Sequence, residues 1–276
     1  MEQTAPPERV SPDSHREGTA SQYTAAYRIK LWWWRLARYR WLPYVAPLAL
    51  FMLLTGLEPT AETPGGRLLG MTIAYHAYPV VYSLKLLVVT AAMAASVSTY
   101  RRFPFRVTWL GAAVGLGGGC LWIGLTALEL EASLLPALGL GWLVESGARS
   151  GFNPFVELAG RPLAAWGFLG IRLLGLVLIV PVIEEFFLRG FVMRFVVAER
   201  WWRVPFGRVT VAAAIAGTAI PVLAHPGEMV AAAVWFSLVT WLMVRTRSLW
   251  DCVLAHALTN AVLGAYVLAS AQWHLV

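Results

Sequence analysis

The chain has 276 residues, 58% of them hydrophobic and only 13% charged, with a mean hydropathy of +0.62. Soluble domains carry about 25% charged residues, so this balance argues against a soluble fold and for the membrane, as do fourteen tryptophans. A formal charge of +7 raises the question of nucleic acid, which the placement of the basic residues decides.

In chain order, residues 1–26 are polar and Pro/Ser-rich and are expected to form a disordered cytoplasmic tail. The acidic start offers no secretory signal. "YRIKLWWWRLARYRW" at 27–41 mixes Trp with Arg and Lys and reads as an interfacial helix. Seven apolar spans follow, at 41–57, 77–99, 107–127, 163–197, 209–224, 229–244 and 250–270. The expected fold is therefore all-α, a polytopic bundle of about seven membrane helices. Residues 27–160 form an N-terminal set of helices and residues 161–276 a separate core. The glycine run "GLGGGC" at 115–120 lacks a P-loop lysine and reads as a close helix contact. Cys120 and Cys252 have no partner spacing and read as small buried hydrophobes.

The basic residues alternate between connections. Arg28, Lys30, Arg35, Arg38 and Arg40 precede the first span, and only Arg67 follows it. Arg101, Arg102 and Arg106 precede the third span, and Arg149 and Arg161 follow it. Arg194, Arg200, Arg203 and Arg208 follow the fourth, none lies in "HPGE", and Arg245 and Arg247 follow the sixth. That alternation obeys the positive-inside rule and predicts a cytoplasmic N-terminus; the charge is topological and no nucleic-acid partner is expected. The fourth span would be about 50 Å long against a core of about 30 Å. Pro181 in its middle predicts a break or kink.

Ionisable residues inside a span are expensive and default to function. Lys85, Arg172, the cluster Glu184, Glu185 and Arg189, and His225 and His256 qualify. Glu185 and Arg189 are i,i+4 and can pair, whereas Glu184 is rotated about 100° away and is left to act elsewhere, as a general base must. His256 and Asn260 are also i,i+4 and can offer donors to one small volume, the arrangement that stabilises an oxyanion. Structural readings stand beside each: a salt bridge tying a kinked helix, interhelical hydrogen-bond glue, and a His225 that faces water. Lys85 and Arg172 read as snorkelling or structurally paired, and His15, His76 and His274 receive no role.

"EEFFLR" at 184–189, His225 in "LAHPGE" and "HALTN" at 256–260, in that order, resemble the EExxxR, middle-histidine and HxxxN motifs of the CAAX-protease and bacteriocin-processing (Abi, or CPBP) family of intramembrane proteases. The resemblance covers residues 163–268. It implies an intramembrane endopeptidase, CAAX prenyl protease-like, in which Glu184 activates water, His225 orients that water, and His256 and Asn260 stabilise the oxyanion. Glu185 and Arg189 would support the site. No cofactor is then required, although Glu184, His225 and His256 would be the ligands of a zinc if one were used. Two positions depart from the family pattern: Pro221 stands where an aromatic is usual, and Asp251 where small or apolar residues are. The topology also sets His225 near the outer face and His256 near the inner end of its helix, at different depths.

The expected protein sits in a bacterial cytoplasmic membrane and hydrolyses a membrane-associated protein or peptide, with a protein-sorting system as a candidate companion. A catalytically silent scaffold or immunity protein of the same family, and a proton-coupled transporter, are the rival readings.

Overall fold

The computed structural model describes residues 39–61, 65–68, 71–142 and 151–275. The tail, nearly all of the interfacial segment at 27–41, and Arg149 lie outside these residues. The architecture that follows is that of the unit Pro43–Val276, with Leu42 opening its first helix.

Apolar composition dictates helices because only a helix satisfies every backbone group within its own segment inside lipid. The helices are α1 (Leu42–Thr55), α2 (Tyr78–Tyr100), α3 (Trp109–Thr126), α4 (Leu130–Ala137), α5 (Pro162–Val197), α6 (Val211–Ala224), α7 (Met229–Thr246) and α8 (Leu249–Ser270). Five of them, α2, α3, α5, α7 and α8, are long and apolar enough to cross a bilayer; α1 and α6 are apolar but shorter. Each falls on an expected span with ends shifted by a few residues. The one strand pair among the described residues is a short antiparallel hairpin, Gly65–Leu68 with Met71–Ile73, in the connection after α1. Leu53, Trp109, Leu163, Val211 and Leu223 are among the large apolar side chains on the outside of the bundle. Bare apolar flanks of this kind suit lipid rather than water, and the protein is an integral membrane protein.

The core is organised around α8, which packs most extensively on α3. The glycine run makes this contact close. A Cβ on Gly115 would lie 2.7 Å from the Ala255 carbonyl oxygen, one on Gly119 would lie 2.7 Å from Val262 Cβ, and one on Gly118 would lie 2.9 Å from Trp235 Nε1. Across the seam, Thr259 Oγ1 donates to the Gly115 carbonyl (2.8 Å) and accepts from Trp235 Nε1 (2.9 Å). Asp251, the departure from the family pattern, has its explanation here. Its fully buried carboxylate accepts from the Thr108 N–H (2.6 Å) at the start of α3, where the helix dipole favours an anion. Glu131 does the same at the start of α7, accepting from the Val230 N–H (2.7 Å) and so anchoring the end of the "HPGE" turn.

Of the break or kink expected at Pro181, the break does not occur. α5 runs continuously for 36 residues, with two π-helical stretches, Gly175–Ile179 and Phe186–Val192, on either side of Val180–Glu185. The missing proline N–H falls at the end of the wider register, and the helix bulges there instead of breaking. Such bulges recur at functional sites. Lys85 and Arg172 are structural: Lys85 pairs with Glu58 and donates to Thr55 Oγ1 (3.2 Å), and Arg172 donates to the Phe152 carbonyl (2.7 Å). Both cysteines are free thiols; Cys252 is buried as expected, whereas Cys120 lies on the exposed flank of α3.

Candidate active site

Neighbouring glutamates on one helix necessarily face different ways, and Val180–Glu185 makes full use of this. The Glu185 side chain is completely buried, while that of Glu184 keeps 24% of its surface. Glu185 Oε2 pairs with Arg189 Nη1, and Arg189 Nη2 donates to the Phe236 carbonyl (3.2 Å). Glu185 Oε1 accepts from His256 Nδ1 at 3.0 Å. The carboxylate therefore joins an arginine of its own helix to a histidine of α8. Since a carboxylate paired with arginine can only accept, it fixes the His256 proton on Nδ1 and turns Nε2 toward Glu184, whose Oε2 is 3.9 Å away.

His225 is the residue at which α6 ends. Its backbone N–H bonds to Val222, so the Pro221 carbonyl has lost its helical donor and takes His225 Nδ1 instead (2.7 Å). A carbonyl only accepts, so Nδ1 carries the proton and Nε2 the lone pair of the neutral ring. The ring is walled by Trp122 and Phe236, with centroids 5.5 and 5.9 Å away. Trp235, held by Thr259, packs against His256 at 4.7 Å.

Glu184, His225, His256 and Asn260 all line one cavity of about 210 Å³, closed by Leu176, Val180, Trp122, Trp235, Phe236 and Thr259 among others. The two histidines expected at different depths are thus joined by a single cavity. Asn260 lies one turn beyond His256, and its Nδ2 donates to the Leu176 carbonyl (2.8 Å). A second, almost wholly apolar cavity of about 350 Å³ lies between α1 and α6, lined by Val45, Leu48, Ala49, Met52, Ile220 and Ala224. It shares Glu184, His225 and Phe236 with the first.

Among the described residues no group of three or more His, Cys, Asp or Glu side chains is arranged to hold a metal ion. Both histidines give Nδ1 to protein acceptors, which leaves Nε2 as the nitrogen that would reach a metal, but Glu184, His225 and His256 are not grouped to hold one as they stand. Chemically, the cavity offers a carboxylate, two oriented imidazoles and a carboxamide around a volume large enough for water and a peptide group. Sequence reasoning missed Leu176, Trp122, Trp235 and Thr259, which act through a main-chain oxygen, ring packing or a hydroxyl and carry no charge to betray them. Glu131 was overlooked although it is a charged residue in an apolar region.

Residues 166–262 match the model of the Rce1-like family, described as type II CAAX prenyl endopeptidase Rce1-like. The matched segment contains all four cavity residues together with Glu185 and Arg189. No curated protein and no solved structure matches the chain.

Proposed function

As residues 166–262 match the Rce1-like family of CAAX proteases, we propose that the chain is an intramembrane endopeptidase that cleaves a membrane-associated protein or peptide with a glutamate-activated water. The observation carrying this reading is the convergence of Glu184, His225, His256 and Asn260 on one cavity, with His256 oriented from behind by Glu185.

In this mechanism Glu184 takes a proton from a water while the water oxygen attacks the scissile carbonyl carbon. His225, through the Nε2 lone pair, accepts a hydrogen bond from the same water and orients it. The carbonyl oxygen becomes an oxyanion, which Asn260 Nδ2 and His256 stabilise. The intermediate then collapses, the C–N bond breaks, and the proton on Glu184 passes to the departing amine, giving one carboxylic acid and one amine. The apolar cavity beside Glu184 and His225 suits an aliphatic or lipidated part of the substrate. The alternation of basic residues supports an N-terminus on the cytoplasmic side of the membrane, taken here as a bacterial cytoplasmic one.

The test uses the purified protein in detergent and a fluorescence-quenched CAAX peptide, with and without a farnesyl group. The wild type cleaves it, and Glu184→Gln, which keeps shape and loses the base, is slower by roughly 10²- to 10⁴-fold while melting with the wild type. Treatment with 1,10-phenanthroline leaves the wild-type rate unchanged. Equal cleavage by Glu184→Gln would sink the assignment of the base, and loss of activity to the chelator would return zinc to the mechanism.

A further inference from the structure

The Leu176 carbonyl is the least expected member of the cavity wall, and the sequence explains why it is there. In an α-helix its donor would be the N–H of Val180. In the π-helical stretch Gly175–Ile179 that N–H goes instead to the Gly175 carbonyl, five residues back. The same five-residue register assigns Leu176 the N–H of residue 181, which is proline and has none. A carbonyl inside the bundle is thereby stripped of both helical donors. A part-buried acceptor in that position calls for a partner from elsewhere, and it has one: Asn260 Nδ2, 2.8 Å away on α8.

We propose that Pro181 is a positioning residue for Asn260: by withholding its N–H it delivers the Leu176 carbonyl to the carboxamide, locks the amide's rotation, and leaves the second Nδ2 hydrogen to serve the cavity. This rests on the reading of the chain as a peptidase with Asn260 as an oxyanion donor. A carboxamide free to rotate would present oxygen as readily as nitrogen to the developing charge, and the oxygen would repel it. Pro181 has a second consequence on the same argument. It ties α5, which carries Glu184, to α8, which carries His256 and Asn260, by a hydrogen bond that exists only because of the bulge.

Pro181→Ala restores the missing N–H in a helix-favouring residue, and a double-mutant cycle with Asn260→Ala reads the coupling in two independent ways. The first readout is thermal unfolding of the purified chain, which needs no activity. With Pro181 in place, Asn260→Ala lowers Tm by several degrees, because the Leu176 carbonyl is then unsatisfied. In the Pro181→Ala background it lowers Tm by much less, because the restored N–H can reach that carbonyl. The second readout is cleavage of the quenched CAAX peptide. Pro181→Ala lowers kcat about tenfold or more with KM nearly unchanged, and in the Asn260→Ala background it lowers kcat no further.

Additive Tm losses would overturn the hydrogen-bond assignment. Coupled Tm values with an unchanged kcat would overturn the positioning role, as would a Pro181→Ala defect that persists in full without Asn260, since it would then act through Glu184. Coupled Tm values in a chain that cleaves no CAAX peptide would refute the peptidase reading while upholding the contact.

Discussion

Glu185→Ala is the sharpest perturbation of the buried charges. Glu185 and Arg189 are both fully buried, and the guanidinium has, besides that carboxylate, the Phe236 carbonyl at 3.2 Å and the Phe236 ring at 5.7 Å. Removing the carboxylate strands a cation in the bundle, which costs about 3–5 kcal/mol. At roughly 2–4 °C per kcal/mol for a chain of this size, Tm falls by about 6–20 °C. The double variant Glu185→Leu/Arg189→Met removes both charges, an exchange that is often neutral or stabilising, so most of the lost Tm returns. Activity does not return with it. His256 has lost the acceptor that fixes its tautomer, and the rate stays down on the order of 10²-fold or more. Tryptophan fluorescence during heating and cleavage of the quenched peptide measure the two effects separately. If Glu185→Ala melts with the wild type, or the double variant melts no higher than the single one, the account of a buried pair whose loss strands Arg189 is wrong.

Two further outcomes follow from packing. Gly115→Leu places a side chain against the Ala255 carbonyl and Leu258 Cβ, main-chain and helix-fixed atoms that cannot yield; it lowers the yield and Tm of the purified protein, at a cost of about 1–3 kcal/mol or more. Gly117→Leu, whose Cβ meets nothing within 4 Å, is the matched control and melts like the wild type. Ala49→Trp, from α1, fills part of the apolar cavity beside Glu184. It raises KM roughly tenfold for a farnesylated peptide with kcat little changed, whereas equal KM values would show that the cavity does not receive that group.

How much of this site was legible beforehand depended on what each residue contributes. Glu184, Glu185, Arg189, His256 and Asn260 stand out in a linear reading because charge and amide groups in an apolar span are costly, and i,i+4 spacing already pairs the second glutamate with the arginine. The glycine run was readable for a similar reason, since a residue without a side chain in a membrane helix implies a close neighbour. Pro181 was legible as a perturbation, but not as a site where the helix widens. The missing N–H is a local fact, but whether a helix breaks or widens depends on what packs around it, and here the freed carbonyl found Asn260, 84 residues away.

Sequence by itself therefore determined the membrane, the placement of the apolar helices, and the side chains that cannot sit in lipid without a purpose. These follow from transfer free energies and helical periodicity, which act residue by residue. Tertiary structure alone decided that His225 and His256 share a cavity despite their apparent difference in depth, and that Glu185 rather than Glu184 holds His256. It also decided that Asp251 caps a helix 143 residues earlier in the chain. Those are meetings between distant segments, set by how glycines, rings and a π-bulge let particular helices approach, and no local pattern encodes them.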